Sequence, residues 1–135
     1  MNAKRKQLIK SAAPIIGLLS LLGFFLHSEA TYARLKDPAG IATVADFYQR
    51  FQISSRASIV RVDEIEYICL TGPLPPNWSL ALPSSPPEYV FDQQGTFVDW
   101  CSDPGDTPSW NRKWMPNVKT PLSDVEVRAR LGLNT

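Results

Sequence analysis

The chain has 135 residues, with 14 Lys or Arg against 13 Asp or Glu and a formal net charge of +1 at pH 7. A balance this close to neutral lacks the basic footprint of a nucleic-acid-binding protein, so no nucleic-acid partner is expected. The one histidine, His27, lies in an apolar N-terminal stretch. Beyond it the chain has no imidazole for Ser-His-Asp or Cys-His catalysis or for a zinc site, and no metal or cofactor is expected.

The N-terminus predicts an export signal. Its first ten residues contain no acidic residue and four basic ones: Lys4, Arg5, Lys6 and Lys10. The uncharged apolar run Ala12–Leu26 follows, and Ala30 and Ala33 complete two small-x-small exits typical of a cleavage site. Because the run is shorter than the ~20 residues that span a bilayer, we predict a cleaved signal peptide at residues 1–33.

An uncleaved membrane anchor is the alternative, in which the basic end stays in the cytoplasm. Membrane contact would then be limited to residues 8–26. Both interpretations place residues 34–135 outside the cytoplasm, periplasmic or secreted, as a single domain. Removal of residues 1–33 takes away four basic residues and one acidic residue, which leaves 10 basic against 12 acidic and a charge of −2.

The first element of this domain is a short amphipathic helix, predicted near residues 44–52. Thr43 has an N-cap side chain, and Asp46 stands three residues later, where a capping box uses an acid or amide. Apolar side chains then follow at helical spacing on one face: Val44, Phe47, Tyr48 and Phe51. We expect the helix to form by packing this aromatic face on a sheet.

Residues 57–70 predict β-structure with one break in its alternation. Val60 and Val62 share one phase of the two-residue period, and Ile65, Tyr67 and Cys69 share the other. A slip at Asp63-Glu64 accounts for the change of phase. We favour a β-bulge there over a two-residue turn, since neither Asp63 nor Glu64 suits the positive φ that such a turn requires.

A connection with six prolines, at residues 71–87, leads into a hairpin. Because Pro lacks the donor that helices and sheets need, this connection is expected to be extended. Strands at Tyr89–Asp92 and Thr96–Trp100 are predicted on either side of Gly95, whose permissive backbone suits the turn.

The two cysteines, Cys69 and Cys101, predict a disulfide. An even pair in an exported chain is most simply a structural bridge. Neither thiol has the histidine or CxxC partner that would make it reactive. Closing a loop of about 32 residues would stabilise the domain by roughly 3–4 kcal/mol through loop-closure entropy.

Four carboxylates near the hairpin carry an enzymatic interpretation: Glu88, Asp92, Asp99 and Asp103. Two of them could act as general acid and base if a groove held them about 5–10 Å apart. The competing interpretation is that the aspartates within residues 102–108 serve the turn itself, as Asp often does. No catalytic residue is therefore assigned.

Aromatic side chains in the predicted loops are the candidate binding residues. Trp110 and Trp114 lie on either side of Arg112 in a segment predicted to be irregular or a single turn, and Trp78 lies in the proline-rich connection. Trp and Arg are enriched where proteins bind partners, so these four residues predict a contact surface. Core filling is the alternative, because a Trp in a loop often lies over a sheet.

The C-terminal helix has the clearest local signal. Ser123 and Glu126 form a full capping box, and Gly132 is placed to end a helix over residues 124–131.

These elements predict an α+β domain, a small antiparallel sheet with two short helices packed on it and one disulfide. A mostly β barrel or sandwich with peripheral helices is the alternative. The predicted function is an exported, non-catalytic binding or accessory domain. Its expected partner is another envelope or secreted protein, or a cell-wall glycan. A small acid-base hydrolase and a membrane-tethered accessory subunit are the functional alternatives.

Overall fold

A computed structural model describes residues 3–74, 85–114 and 119–134. Within these residues the chain divides into two compact units, one formed by the N-terminal helix and one by the remaining helices and strands. The helices are α1 (Ala3–Lys36), α2 (Val44–Phe51), α3 (Pro108–Trp114) and α4 (Asp124–Arg130). The strands are β1 (Arg56–Val62), β2 (Ile65–Thr71), β3 (Glu88–Phe91), β4 (Phe97–Cys101) and β5 (Lys119–Leu122).

Helix α1 continues through Pro14 and extends well beyond the apolar run counted in the sequence. From Ala12 to Lys36 it is long and apolar enough to cross a membrane, and its mean hydropathy reaches 1.5. These 25 residues rise about 37 Å, against ~30 Å of bilayer hydrocarbon. Signal sequences and membrane anchors share this length and composition.

Both predicted capping boxes are present in the second unit. The Thr43 hydroxyl accepts a hydrogen bond from the backbone N–H of Asp46, whose carboxylate accepts one from the N–H of Thr43. Ser123 and Glu126 make the same reciprocal pair at the start of α4. The two helices predicted from these caps are confirmed, each with its predicted first residue.

The five strands form one open antiparallel sheet in the order β4-β3-β2-β1-β5. The predicted α+β class is therefore confirmed, with four helices among the described residues. Strands β1 to β4 follow one another across the sheet, whereas β5 pairs with β1 at the edge opposite β4. A 3₁₀ turn at Pro104–Asp106 and helix α3 lie in the part of the chain between β4 and β5.

The connection between β1 and β2 is a two-residue turn, so the predicted β-bulge is wrong. Val62 pairs directly with Ile65, and Asp63 and Glu64 both have positive φ, at 50° and 64°. Two positive values identify a type I′ turn, whose twist matches that of the flanking strands. The prediction weighed the local preference of two acidic residues too heavily against the pairing of seven residues on each strand.

Alternation along the strands gives the sheet two faces. One face contributes to a core with residues of α2 and α4, in which the rings of Phe47 and Tyr89 are 5.3 Å apart at their centroids. The other face contributes to a second core with Trp110 and Trp114 of α3. We call these the α2/α4 face and the α3 face.

Candidate functional site

The two cysteines are free and buried, so the predicted disulfide is wrong. Cys69 lies on β2 and Cys101 on β4, and β3 runs between them. Two strand spacings amount to roughly 9.5 Å, beyond the ~7 Å between Cα atoms that a disulfide can bridge. Spacing along the chain does not specify strand order, which is why the sequence could not reveal the strand that separates them.

A buried polar cluster on the α3 face is centred on Glu88. Its carboxylate accepts hydrogen bonds from Lys119 Nζ and from Trp110 Nε1, each at 3.3 Å, and its side chain is 5% exposed. Burial first, and then the negative charge of Glu88, raise the pKa of the Cys69 thiol to about 12. Because the thiolate is the nucleophilic form, this environment makes Cys69 inert near neutral pH.

Asp99 has a similar role on the neighbouring strand β4. Its Oδ2 accepts a hydrogen bond from Trp114 Nε1 at 3.1 Å, and its Oδ1 accepts one from the backbone N–H of Trp100 at 2.9 Å. Lys113 Nζ lies 4.0 Å from Oδ2 and 4.8 Å from the centroid of the Trp114 ring. The two indoles of α3 therefore bind two carboxylates of the sheet.

This arrangement changes the role of the sequence-predicted binding residues. Trp110 and Trp114 are only 5% and 2% exposed, so their indoles fill a core and present no contact surface. Arg112, between them, is exposed, and Trp78 lies outside the described residues. Truncating a buried Trp to Ala costs about 3–5 kcal/mol, so Trp110→Ala and Trp114→Ala would report folding rather than binding.

The candidate catalytic carboxylates are engaged within the fold. Asp92 accepts two backbone N–H groups of the β3–β4 turn, and Asp103 accepts the N–H of Ser85 at 3.4 Å. Glu88 and Asp99 share the α3 face, but a substrate could reach both only if α3 left the sheet. In the described ranges, no group of three His, Cys, Asp or Glu side chains is arranged to hold a metal ion.

An open groove lies on the α2/α4 face and is accessible without such a movement. A cavity of about 240 Å³ is lined by six residues, which define the α4 groove: Ile59, Glu66, Tyr67, Ile68, Gln93 and Arg130. Ile59 and Ile68 are direct cross-strand partners and form its apolar side. Glu66, Gln93 and Arg130 supply polar side chains.

Packing of α4 positions Arg130 at this groove. At the start of the helix, Asp124 accepts a hydrogen bond from the Tyr48 hydroxyl at 2.7 Å. At its end, Leu131 packs against the β3–β4 turn, where a Cβ added to Gly95 would lie 3.1 Å from Leu131 Cδ1. Both ends of α4 are therefore fixed to the rest of the domain.

Arg130 is the cation that sets the charge of the α4 groove. The Glu66 carboxylate is paired with Arg61 Nη2 at 2.8 Å, so that pair is internally neutral. Glu126 interacts with Arg130 through its charge, but its carboxylate is bonded to Ser123 in the helix cap. Across the described part of the chain, the Arg130 guanidinium makes no hydrogen bond or salt bridge.

Sequence reasoning missed the α4 groove because its residues come from three distant segments. Only the register of β1 with β2 shows that the apolar pair Ile59–Ile68 is followed by the charged pair Arg61–Glu66 on the same face. With the predicted bulge, these residues would belong to one long strand, and Ile59 and Arg61 would not pair with Ile68 and Glu66. Alternation of apolar and charged residues at 59, 61, 66 and 68 was the available signal.

Comparison of the chain with protein-family models, with curated proteins and with solved structures finds no match. The function is therefore inferred from the fold and its surfaces.

Proposed function

We propose that this chain is an exported accessory domain that acts by binding. The observation that carries the proposal is helix α1, in which a basic start and an apolar stretch of membrane-spanning length precede a small α+β domain. A segment of this kind directs a chain to the membrane, and its N-terminal Lys and Arg favour a cytoplasmic N-terminus. The α+β domain would then lie outside the cytoplasm.

Tethering of the domain by an uncleaved α1 is the second candidate. The helix extends ten residues beyond Leu26 and passes without interruption through Ala30 and Ala33. The span of 25 residues exceeds the ~20 that a bilayer requires, which favours a permanent anchor.

The state of the polar groups supports binding over catalysis. Glu88, Asp92 and Asp99 are each bonded to other parts of the fold, and the Cys69 thiol is protonated. The α4 groove, by contrast, is open and combines apolar side chains with an unpaired guanidinium among the described residues. Another envelope or secreted protein, or a cell-wall glycan, remains the proposed class of partner.

Cell fractionation tests the export of this chain. With a C-terminal tag, the protein should be found in the membrane or extracytoplasmic fraction, and protease added outside the membrane should digest the domain. Intact mass then separates a product that begins after Ala30 or Ala33 from the full chain.

A matched pair of variants controls this experiment. Leu19→Arg with Leu22→Arg places two charges in the apolar span, each of which costs about 2.5–3.5 kcal/mol on insertion scales, and should abolish export. Ile53→Arg adds a charge to the domain surface, where Ile53 is 70% exposed, and should leave export unchanged. A wild-type chain that stays protease-protected in the cytosol would contradict the proposal.

A further inference from the structure

The geometry points to the α4 groove as a binding site for the C-terminal end of a peptide, which would place its last, apolar side chain in the groove and its free carboxylate at Arg130. This inference rests on the proposed function, because it names the ligand class that the accessory domain would bind. In such a ligand, the Cα of the last residue carries both the apolar side chain and the free carboxylate.

The apolar part of the ligand is indicated by the side of the groove that β1 and β2 provide. Ile59 and Ile68 lie opposite each other in register; Ile59 is half-buried and borders the groove, and Ile68 is 5% exposed at its base. The cavity volume of about 240 Å³ is below the ~300–1,000 Å³ of sites for drug-sized ligands. It therefore suits one terminal residue rather than a long acyl chain or a glycan.

The anionic part is indicated by the charges around that surface. Glu66 already has Arg61 as its partner, which leaves Arg130 as the guanidinium available to a ligand among the described residues. Arg presents donors in a fork that matches the two oxygens of a carboxylate. Gln93 adds a carboxamide that both donates and accepts, as recognition of a peptide group requires.

The backbone of Arg130 is held in place by the packing of α4 before a ligand binds. Leu131 packs on the β3–β4 turn at Gly95, and Asp124 bonds to Tyr48 at the other end of α4. Binding therefore requires the ordering of one Arg side chain and no movement of an element, which lowers its entropic cost.

Titration of the full chain in detergent micelles with a short peptide tests the inference. The probe is acetyl-Gly-Gly-Leu with a free carboxylate, and its C-terminal amide is the comparison, with binding followed by two-dimensional NMR or calorimetry. The free acid should bind and shift the signals of Ile59 and Ile68. The amide should bind about tenfold more weakly or worse, because a charge-assisted bond is lost.

Two arginine variants provide the matched control. Arg130→Gln should weaken binding of the free acid about tenfold or more, whereas Arg56→Gln, on an exposed Arg at the start of β1, should leave it unchanged. Equal affinity for acid and amide, no effect of Arg130→Gln, or no binding of either peptide would overturn the inference. Binding of octanoate in place of the peptide would overturn it as well and identify a fatty acid site.

Failure of this inference is distinguishable from failure of the proposed function. An exported chain that does not bind the peptide refutes only the ligand class of the α4 groove. A chain that binds the peptide but stays in the cytosol refutes only the export on which the proposed function depends.

Discussion

Glu88 is a carboxylate removed from water, and its environment explains why the fold accepts it there. Several kcal/mol are lost when an ionised group is buried, and a nearby cation and hydrogen bonds must offset that cost. Lys119 supplies the cation and Trp110 a neutral donor. Because the Lys119 side chain is still 25% exposed, the pair keeps part of its hydration. Removal of one partner of the Glu88–Lys119 pair should therefore lower the stability of the fold.

Lys119→Met should lower the free energy of unfolding by about 2–3 kcal/mol, because Glu88 would remain buried and charged without its cation. Adding Glu88→Gln should recover part of that loss by removing the unpaired charge. Urea unfolding at neutral pH measures both effects. As a control, Glu66→Gln breaks the exposed pair with Arg61 and should cost no more than about 1 kcal/mol. Equal losses for Lys119→Met and Glu66→Gln would contradict this account of Glu88.

At the scale of elements, the β3–β4 turn connects the hairpin to the end of α4 through a glycine. Gly95 has a φ of +82°, and an added Cβ would lie 3.1 Å from Leu131 Cδ1 and 3.6 Å from Val44 Cγ2. Gly132 has a φ of +64°, but its added Cβ would meet nothing within 4 Å. The two positions share the left-handed backbone and differ in packing.

Gly132→Ala should cost about 1–2 kcal/mol of stability, the usual penalty of a left-handed conformation for a residue with a Cβ. Gly95→Ala should cost more, about 2–4 kcal/mol, because the new methyl group must also displace Leu131. Thermal unfolding of the two variants gives the comparison. Equal losses of stability in the two variants would show that the close packing of Leu131 on Gly95 adds nothing to the cost of the Gly95→Ala substitution.

Sequence predicted those elements whose ends are specified by adjacent residues. The caps at Thr43 and Ser123 identified two helices to within one residue, and Gly95 identified the hairpin, because these signals act over three or four positions. The segment of helix α3 is predicted from sequence to be irregular or a single turn. The helix is longer because its two indoles donate hydrogen bonds to carboxylates on distant strands, which local sequence does not reveal. Strand β5 was missed because Pro121 argues against a strand, although a sheet edge accepts proline.

The candidate site was less predictable than the elements. Trp110 and Glu88 were each singled out, one for a partner surface and one for catalysis, and the structure shows that they are hydrogen-bonded to each other. Their residue types marked both as candidate functional residues, but they did not reveal that the Trp110 indole donates its hydrogen bond to the Glu88 carboxylate. The α4 groove required the register of β1 with β2, which depends on the turn at Asp63-Glu64.

For the molecule as a whole, the two free thiols remove one argument for an extracytoplasmic location and one expected source of stability. Without a bridge between Cys69 and Cys101, they give no support for an oxidising compartment, and the proposed localisation rests on α1. The domain instead has two hydrophobic cores, one on each face of its sheet. Its stability should therefore be insensitive to reductant.

Stability should fall between about pH 9 and pH 12, and Cys69 should contribute to that fall. Below pH 9 the thiol is protonated in both the folded and the unfolded chain. Above pH 9 the unfolded chain loses a proton that the folded one keeps until its pKa of about 12. Unfolding then becomes easier by up to about 1.4 kcal/mol per pH unit.

Chemical denaturation across this range, with Cys69→Ala as the comparison, measures that contribution. The variant should show a shallower decline with pH. Burial also raises the pKa of Tyr48, which acts in the same direction in both proteins, so the difference isolates the thiol. Identical slopes would contradict a protonated, buried Cys69.

The pairing of β5 with β1 has a consequence for how the chain is made. Ala57 pairs with Leu122 and Val60 with Lys119, so partners roughly 60 residues apart complete the sheet. During synthesis, or passage through a translocation pore, β1 has one bare side until Lys119–Leu122 has emerged. Premature termination before Lys119 would therefore release a chain with an uncovered strand, able to recruit a second copy in place of its own β5.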